Sequence, residues 1–153
     1  MKRGTQRRVS VPPDTHHRQV VFGGYNWTHD TVCSLMRDKA DTASCLAFLE
    51  LLLVDTLPDQ PVVLILDNAS YHHAAAVQAF LSLLEHRVLV LYLPPYCSHL
   101  NPIERFWRFM KDTVCANTLY PDHPALMSAV HQLLRQQNDP TCPSRFLLSK
   151  VGP

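Results

Sequence analysis

Two acidic residues, Asp67 and Glu104, stand close behind apolar runs of the kind that form buried strands. Asp67 directly follows Val62–Leu66, and Glu104 follows Val88–Leu93 after a short proline-containing stretch. An acid at the carboxyl end of a strand in an open α/β sheet points into the crevice where such sheets bind ligands. Carboxylate oxygens are preferred ligands of Mg²⁺ and Mn²⁺. The two acids therefore predict a divalent-metal site at one end of a sheet.

The residues before Glu104 place it in the first turn of a helix. Pro94-Pro95 ends the strand because proline has no N–H to give to the ladder, and Asn101 and Pro102 predict the start of a helix. An acid in the first turn also suits the helix dipole, so a purely structural role is the alternative for Glu104. Apolar residues at helical spacing predict the buried face of this helix: Ile103, Phe106, Trp107, Met110 and Val114.

Two motifs carry a family resemblance. From Asp67 to His72 the sequence is D-N-x-x-x-H, which is a weak signal alone. From Leu93 to Trp107 it is L-P-P-Y-C-S-H-L-N-P-I-E-R-F-W, which is specific. Together, with some three dozen residues between the two acids, they resemble the transposases of bacterial insertion sequences in the mariner-like superfamily, over about residues 20–135.

The resemblance implies a DDE endonuclease domain with a ribonuclease-H-like fold, a mixed sheet flanked by helices. It implies metal-dependent cleavage of DNA at transposon ends, followed by strand transfer into target DNA. The implied cofactor is Mg²⁺ or Mn²⁺ in a two-ion site, and the implied location is the bacterial cytoplasm, at the nucleoid.

The resemblance assigns roles to the residues of the first motif and to Glu104. Asp67 and Glu104 are the expected catalytic and metal-binding residues. Asn68 is expected to orient Asp67 or to contact a DNA phosphate, with an ordinary turn asparagine as the alternative. His72 is expected to contact a DNA phosphate or a water in the site, and a loop histidine without a function is the alternative.

The second motif contributes supporting and DNA-binding candidates. Asn101 and Pro102 are expected to fix the start of the helix and so to aim Glu104. Trp107 is expected in the core rather than as a platform for base stacking. Three basic residues are candidates for backbone phosphates, or for simple solvation of an exposed helix face: Arg105, Arg108 and Lys111.

The rest of the chain predicts an α/β domain in the order strand, strand, helix, strand, helix, strand, helix, helix. The first strand is expected over Arg18–Tyr25, ending at Gly23-Gly24, and Thr31–Met36 is the return strand of a hairpin. The helices are expected from Asp41 or Thr42 to about Val54, from about His73 to Leu84, from Pro102 onward, and after Pro124 to about Gln136.

We expect a basic segment (1–17), a partial catalytic domain (18–137) and a loosely ordered tail (138–153). In the resembling family a central strand with the first catalytic aspartate precedes the hairpin, and a helix-turn-helix region precedes that strand. Residues 1–17 carry neither, so the chain is expected to be the carboxyl-terminal part of a transposase, with an incomplete sheet. It then supplies two of three acids, and catalytic activity stays open. Asp14 is a weak replacement, and Asp30 is rejected because the hairpin turn lies at the opposite sheet end.

Unpaired strand edges favour association, so a homodimer or a complementing amino-terminal transposase chain is an expected partner beside DNA. The alternative function is a non-catalytic transposon relic that at most binds DNA or a partner chain. A third interpretation is another metal-dependent phosphohydrolase built on the same sheet.

Composition adds bounds but no function. The chain has 153 residues, 46% of them apolar, and a formal net charge of +1, so it fits one domain and is not evidently basic overall. Basic residues crowd the first eight positions, which suits phosphate contact or simply a solvated end. Five cysteines without C-x-x-C pairs predict free thiols, and nine histidines lack zinc-site spacing. No apolar run is long enough to cross a bilayer, so no membrane partner is expected.

Overall fold

The computed structural model describes residues 19–97, 100–116, 118–139 and 141. The predicted basic segment 1–17, Asp14 and nearly all of the predicted tail lie outside these residues. The strands are β1 (Val20–Asn26), β2 (Thr31–Arg37), β3 (Val62–Leu66) and β4 (Val88–Tyr92), and the helices are α1 (Thr42–Glu50), α2 (Ala75–Leu83), α3 (Ile103–Met110) and α4 (His123–Asn138). None of the helices in the described part is long and apolar enough to span a membrane.

The predicted order of elements is confirmed, and the strands form two separate pairs. β1 and β2 are antiparallel, with Val20 opposite Arg37 and Asn26 opposite Thr31. β3 and β4 are parallel, with Val62 opposite Val88. Within the described residues, β1 pairs with β2 alone and β3 with β4 alone.

The first strand does not end at its glycines, so that expectation is wrong. β1 continues through Gly23 and Gly24 to Asn26. A Cβ on Gly23 would lie 2.6 Å from Cη2 of Trp107, and a Cβ on Gly24 would lie 3.4 Å from Leu52 and Phe48. The glycines therefore let α1 and α3 pack closely on opposite faces of β1.

The first helix begins where its capping residue predicts. Oδ1 of Asp41 accepts a hydrogen bond from the backbone N–H of Ser44 at 2.8 Å, which satisfies a donor that the first turn leaves unpaired. Beyond Glu50 the helix continues as a π-helical segment, Leu51–Thr56. Its end is held by Arg87, whose guanidinium donates to the carbonyl oxygens of Leu53, Leu57 and Gln60 at 2.6, 3.1 and 3.2 Å.

Two apolar clusters form the core. The first lies where α1 and α2 cover β3, β4 and one face of β1, and includes Phe22, Leu49 and Leu64. The second lies where α3 and α4 cover the other face of the hairpin, and includes Val32, Phe106 and Leu134. The predicted buried face of α3 is confirmed, with Ile103, Phe106 and Val114 buried and Trp107 and Met110 half-buried.

The expectation that β3 and β4 are wholly buried is wrong for one of their faces. Leu64, Leu66 and Val88 are buried, but the alternate side chains are about half exposed: Val63 60%, Ile65 50%, Leu89 58% and Leu91 46%. Helices cover this pair of strands on one side, whereas the hairpin is covered on both. An apolar sheet face therefore remains accessible in the described part of the molecule.

Candidate active site

A groove of about 150 Å³ lies between β1 and β3, and the two predicted acids are among the residues that line it. Consecutive residues line it on both sides, Val20–Gly24 from β1 and Leu64–Asp67 from β3 and its end. Glu104 and Asn101 line the same groove from α3 and the turn before it. The fold thus brings Asp67 and Glu104, remote in sequence, to one cavity.

Polar contacts hold the Asp67 side chain through only one of its two carboxylate oxygens in the described part of the chain. Oδ1 accepts the backbone N–H of Ala69 at 3.1 Å and lies 2.9 Å from Nδ1 of His72. Oδ2 accepts no hydrogen bond from the described residues. The Asp67 side chain is 51% exposed, so it meets solvent and is not sealed in hydrocarbon.

His72 faces Asp67 and is itself largely covered, with its side chain only 13% exposed. Nδ1 also lies 3.0 Å from the backbone oxygen of Asp67. Both partners of Nδ1 are acceptors, so Nδ1 carries the proton and donates to Asp67. In the neutral ring Nε2 is then an acceptor, and only the doubly protonated ring donates to a DNA phosphate.

Asn68 ties the ends of β3 and β4 together. Its side-chain N–H donates to the carbonyl oxygen of Leu93 at 2.5 Å. The N–H of Leu93 in turn donates to the carbonyl oxygen of Leu66 at 2.8 Å. Asn68 therefore fixes the backbone where the paired strands β3 and β4 end, as a turn asparagine does.

Glu104 sits in the first turn of α3, as predicted, and its side chain is exposed. Asn101 holds this turn twice, because its Oδ1 accepts the N–H of Ile103 at 3.3 Å and its carbonyl oxygen accepts the N–H of Glu104 at 3.1 Å. Pro102 stands at the cap position, with φ −58°. Both residues thus set the direction in which α3 leaves the groove.

The remaining candidates lie along α3 and its continuation Lys111–Ala116. Arg105, Arg108 and Lys111 are exposed. Trp107 is half-buried against Gly23 and lies 5.0 Å from Phe106 between ring centroids, which is a core position. Asp30, in turn, accepts a hydrogen bond from the Tyr25 hydroxyl at 2.6 Å in the hairpin turn, and it does not line the groove.

The carboxylate of Asp67 affects the pKa of two other residues that line the groove, Cys45 and Tyr71. Burial raises the pKa of the Cys45 thiol to about 11, and the Asp67 carboxylate adds to the rise. Burial raises the pKa of the Tyr71 hydroxyl, again with a contribution from Asp67. Both groups are therefore neutral near pH 7 and add no negative charge to the site.

The acidic side chains of the site are the right type of ligand for a hard divalent cation, but there are too few of them for a complete metal site. Asp67 and Glu104 offer oxygen ligands, which Mg²⁺ and Mn²⁺ favour. Within residues 19–97, 100–116, 118–139 and 141, however, no group of three or more His, Cys, Asp or Glu side chains is placed to hold a metal ion.

Two tyrosines, one that lines the groove and one outside it, were not singled out from the sequence. Tyr71 packs edge-on against Phe22 of β1 at 5.6 Å and so joins the loop after β3 to the hairpin. Tyr96, in the loop before α3, is fully exposed and has a left-handed backbone with φ 62°. The preceding prolines signal a turn, but nothing in the sequence predicts that a tyrosine takes its strained position.

Comparison with known proteins adds the family. The chain is 30% identical over 66 residues to a protein of Sinorhizobium fredii (strain NBRC 101917 / NGR234) described as uncharacterized protein y4pE/y4sA. That match covers 43% of this chain and 45% of the relative, so the chain spans less than half the length of the curated relative it matches. The family model of the DDE superfamily endonucleases matches residues 1–127, most of the chain. With a mixed α/β fold and two acids in one groove, the chain belongs to the DDE superfamily endonucleases.

Proposed function

We propose that this chain is part of an insertion-sequence transposase of the mariner-like type, acting in metal-dependent cleavage and strand transfer of DNA. The observation that carries the proposal is the meeting of Asp67 and Glu104 in one groove. The specific motif around Glu104 and the family match support it. We place the catalytic domain at residues 18–137, between a basic segment (1–17) and a tail (138–153).

Asp67 and Glu104 are the residues that would hold Mg²⁺ or Mn²⁺. The ion, when bound, supplies charge stabilisation for a phosphodiester under attack. His72 positions Asp67 by donating from Nδ1, and Asn101 positions Glu104 through the first turn of α3. Arg105, Arg108 and Lys111 contact DNA phosphates from the exposed side of α3 and its continuation.

We further propose that the two strand pairs belong to one ribonuclease-H-like sheet that lacks a central strand. Two-ion phosphodiester chemistry requires a bridging carboxylate and further ligands for each ion, which two acids do not provide. Beside DNA, the proposed partner is a complementing amino-terminal transposase chain or a second copy in a homodimer, either of which can supply the third acid. The enzyme acts in the bacterial cytoplasm, on DNA of the nucleoid.

The alternative is a relic without catalysis that binds DNA or a partner chain. The specific observation in its favour is that the described residues bring together only two acids at the groove. Another metal-dependent phosphohydrolase differs from the transposase in having no preference for transposon ends.

Nicking of supercoiled plasmid in Mn²⁺ tests the catalytic proposal. Because the chain brings only two of the three acids, we expect slow, residual nicking that chelation abolishes and that falls by about two orders of magnitude or more in Asp67→Asn and in Glu104→Gln, since each removes a charged metal ligand. Glu85→Gln, at an exposed acid outside the groove, is the matched control. Nicking that persists in both site variants rejects the site; no nicking by the parent chain, with intact DNA binding, favours the relic.

A further inference from the structure

His72, which contacts Asp67, is itself held from several sides. Its backbone N–H donates to the carbonyl oxygen of Ala69 at 2.9 Å, and its carbonyl oxygen accepts the side-chain N–H of Gln78 at 2.7 Å. Its imidazole contacts Asp67 through Nδ1 and meets the ring of Tyr71 edge-on, with 4.7 Å between the ring centroids and 80° between the planes. Hydrogen bonds thus fix the backbone of His72, and Tyr71 contacts its ring.

Tyr71 in turn contacts the hairpin. Its ring lies edge-on to Phe22 of β1, with centroids 5.6 Å apart and planes at 64°. Phe22 is buried and stacks with Phe48 of α1 at 6.1 Å. The two strand pairs share no hydrogen-bonded ladder in the described residues, so side-chain contacts such as this one connect them. The loop that carries His72 is therefore anchored to β1 by an edge-on aromatic pair, a favourable geometry for such rings.

The helix that carries Glu104 packs against the next residue of β1. Trp107, three residues after Glu104 in α3, lies so close to Gly23 that a Cβ there would be 2.6 Å from its ring. Successive residues of a strand face opposite sides of it. Phe22 and Gly23 accordingly meet Tyr71 on one side of β1 and Trp107 on the other. Two adjacent residues of β1 thus support the elements that carry the two acids.

We propose that Tyr71 is a positioning residue of the site, whose ring, fixed by Phe22, holds the His72 imidazole against Asp67. The inference rests on the proposed function in taking Asp67 as a metal ligand. The contacts that carry it are those of the ring, and the Tyr71 hydroxyl forms no hydrogen bond within the described part of the chain. Tyr71→Phe should therefore retain the role, and Tyr71→Leu should lose it, because leucine fills part of the space without an aromatic edge.

Imidazole NMR of the metal-free full chain tests the positioning of His72. In the parent at about pH 8, where histidine is normally neutral, we expect the ¹⁵N shifts of one His72 tautomer, with the proton on Nδ1. Tyr71→Phe should keep these shifts. Tyr71→Leu and Phe22→Leu should move them towards an average of the two tautomers, because the imidazole is no longer held in one orientation.

Mn²⁺ affinity, measured from the free ion by electron paramagnetic resonance, is the second readout. It should fall about 3- to 10-fold in Tyr71→Leu and Phe22→Leu and stay unchanged in Tyr71→Phe. Phe80→Leu is the matched control, because it removes a half-buried aromatic ring of the same apolar cluster outside the groove. Urea titration shows which variants are folded, and Tyr71→Met, whose flexible side chain fills irregular space, replaces Tyr71→Leu if that variant does not fold.

Three outcomes overturn the proposal. Parent-like His72 shifts in Tyr71→Leu mean that the ring does not position the imidazole. An equal change in Tyr71→Phe assigns the role to the hydroxyl, and an equal change in Phe80→Leu means that any weakening of the cluster disturbs the site. If the parent binds no Mn²⁺, the proposed function fails, and the His72 shifts alone still decide whether Tyr71 holds the imidazole.

Discussion

The polar residues around the two acids have two kinds of role: the acids are the candidate metal ligands, and the neighbouring residues hold the acids or the backbone in position. Ala69 and His72 contact Oδ1 of Asp67, whereas Oδ2 accepts no hydrogen bond from the part of the chain that the structure describes. The side chains of Asn68 and Asn101 form hydrogen bonds with backbone groups. The types of these residues follow from the motifs in the sequence. The hydrogen-bond partners of these side chains cannot be predicted in the same way, because a motif gives the residue types and not the atoms that each side chain contacts.

Replacement of His72 tests positioning at the residue scale. His72→Ala should lower Mn²⁺-dependent nicking about 10- to 100-fold, as loss of a group that orients a metal ligand commonly does. His72→Asn, which retains a side-chain N–H donor, should recover part of the activity and part of the Mn²⁺ affinity. His86→Ala, at an exposed histidine outside the groove, is the control. Equal activity of His72→Ala and the parent would show that Asp67 needs no such support.

At the scale of elements, the bounds of strands and helices predicted from the sequence agree closely with those observed. β3 has its predicted bounds, and the cap at Asp41 predicts the start of α1. Periodicity does not predict the π-helical ends of α1 and α3 or the course of β1 through its glycines. Those features depend on contacts between elements, such as Trp107 against Gly23, which no local pattern contains.

The two glycines of β1 provide a matched pair of substitutions. Gly23→Ala places a methyl group 2.6 Å from the Trp107 ring, so we expect it to lower the free energy of unfolding by about 1–3 kcal/mol, as overpacking does. Gly24→Ala meets its neighbours only at 3.4 Å and should cost clearly less. Urea titrations measure both. Trp107→Phe should relieve the strain of Gly23→Ala, and a larger loss for Gly24→Ala would contradict the packing described.

For the whole molecule, the α/β class and the convergence of the two acids follow from strand order, because carboxyl ends of neighbouring parallel strands meet at one edge. The exposed face of β3 and β4 does not follow from it. Residues such as Ile65 and Leu89 belong to apolar runs that predict burial on both sides. Whether a covering layer exists is a property of the assembled chain and not of the run itself.

That exposed face predicts association of the isolated protein. We expect concentration-dependent self-association, because contiguous apolar surface of this kind is buried when molecules meet. The double variant Ile65→Thr/Leu89→Thr should reduce this self-association. Threonine favours strands, and at position 65 it also keeps the β-branched shape of isoleucine. Sedimentation velocity over a range of concentrations measures the effect. The same substitutions at buried Leu64 and Val88 should instead unfold the protein, and equal association of the exposed-face variant and the parent would exclude this face.

The bond from Asn68 to Leu93 has a mechanical consequence. Along the backbone, the two carboxylates are joined through all of α2 and β4. Through this one hydrogen bond Asn68, the neighbour of Asp67, is joined directly to Leu93, which begins the segment that leads to α3 and Glu104. Loss of this hydrogen bond is therefore expected to change the distance between the two carboxylates, although neither acid is itself altered.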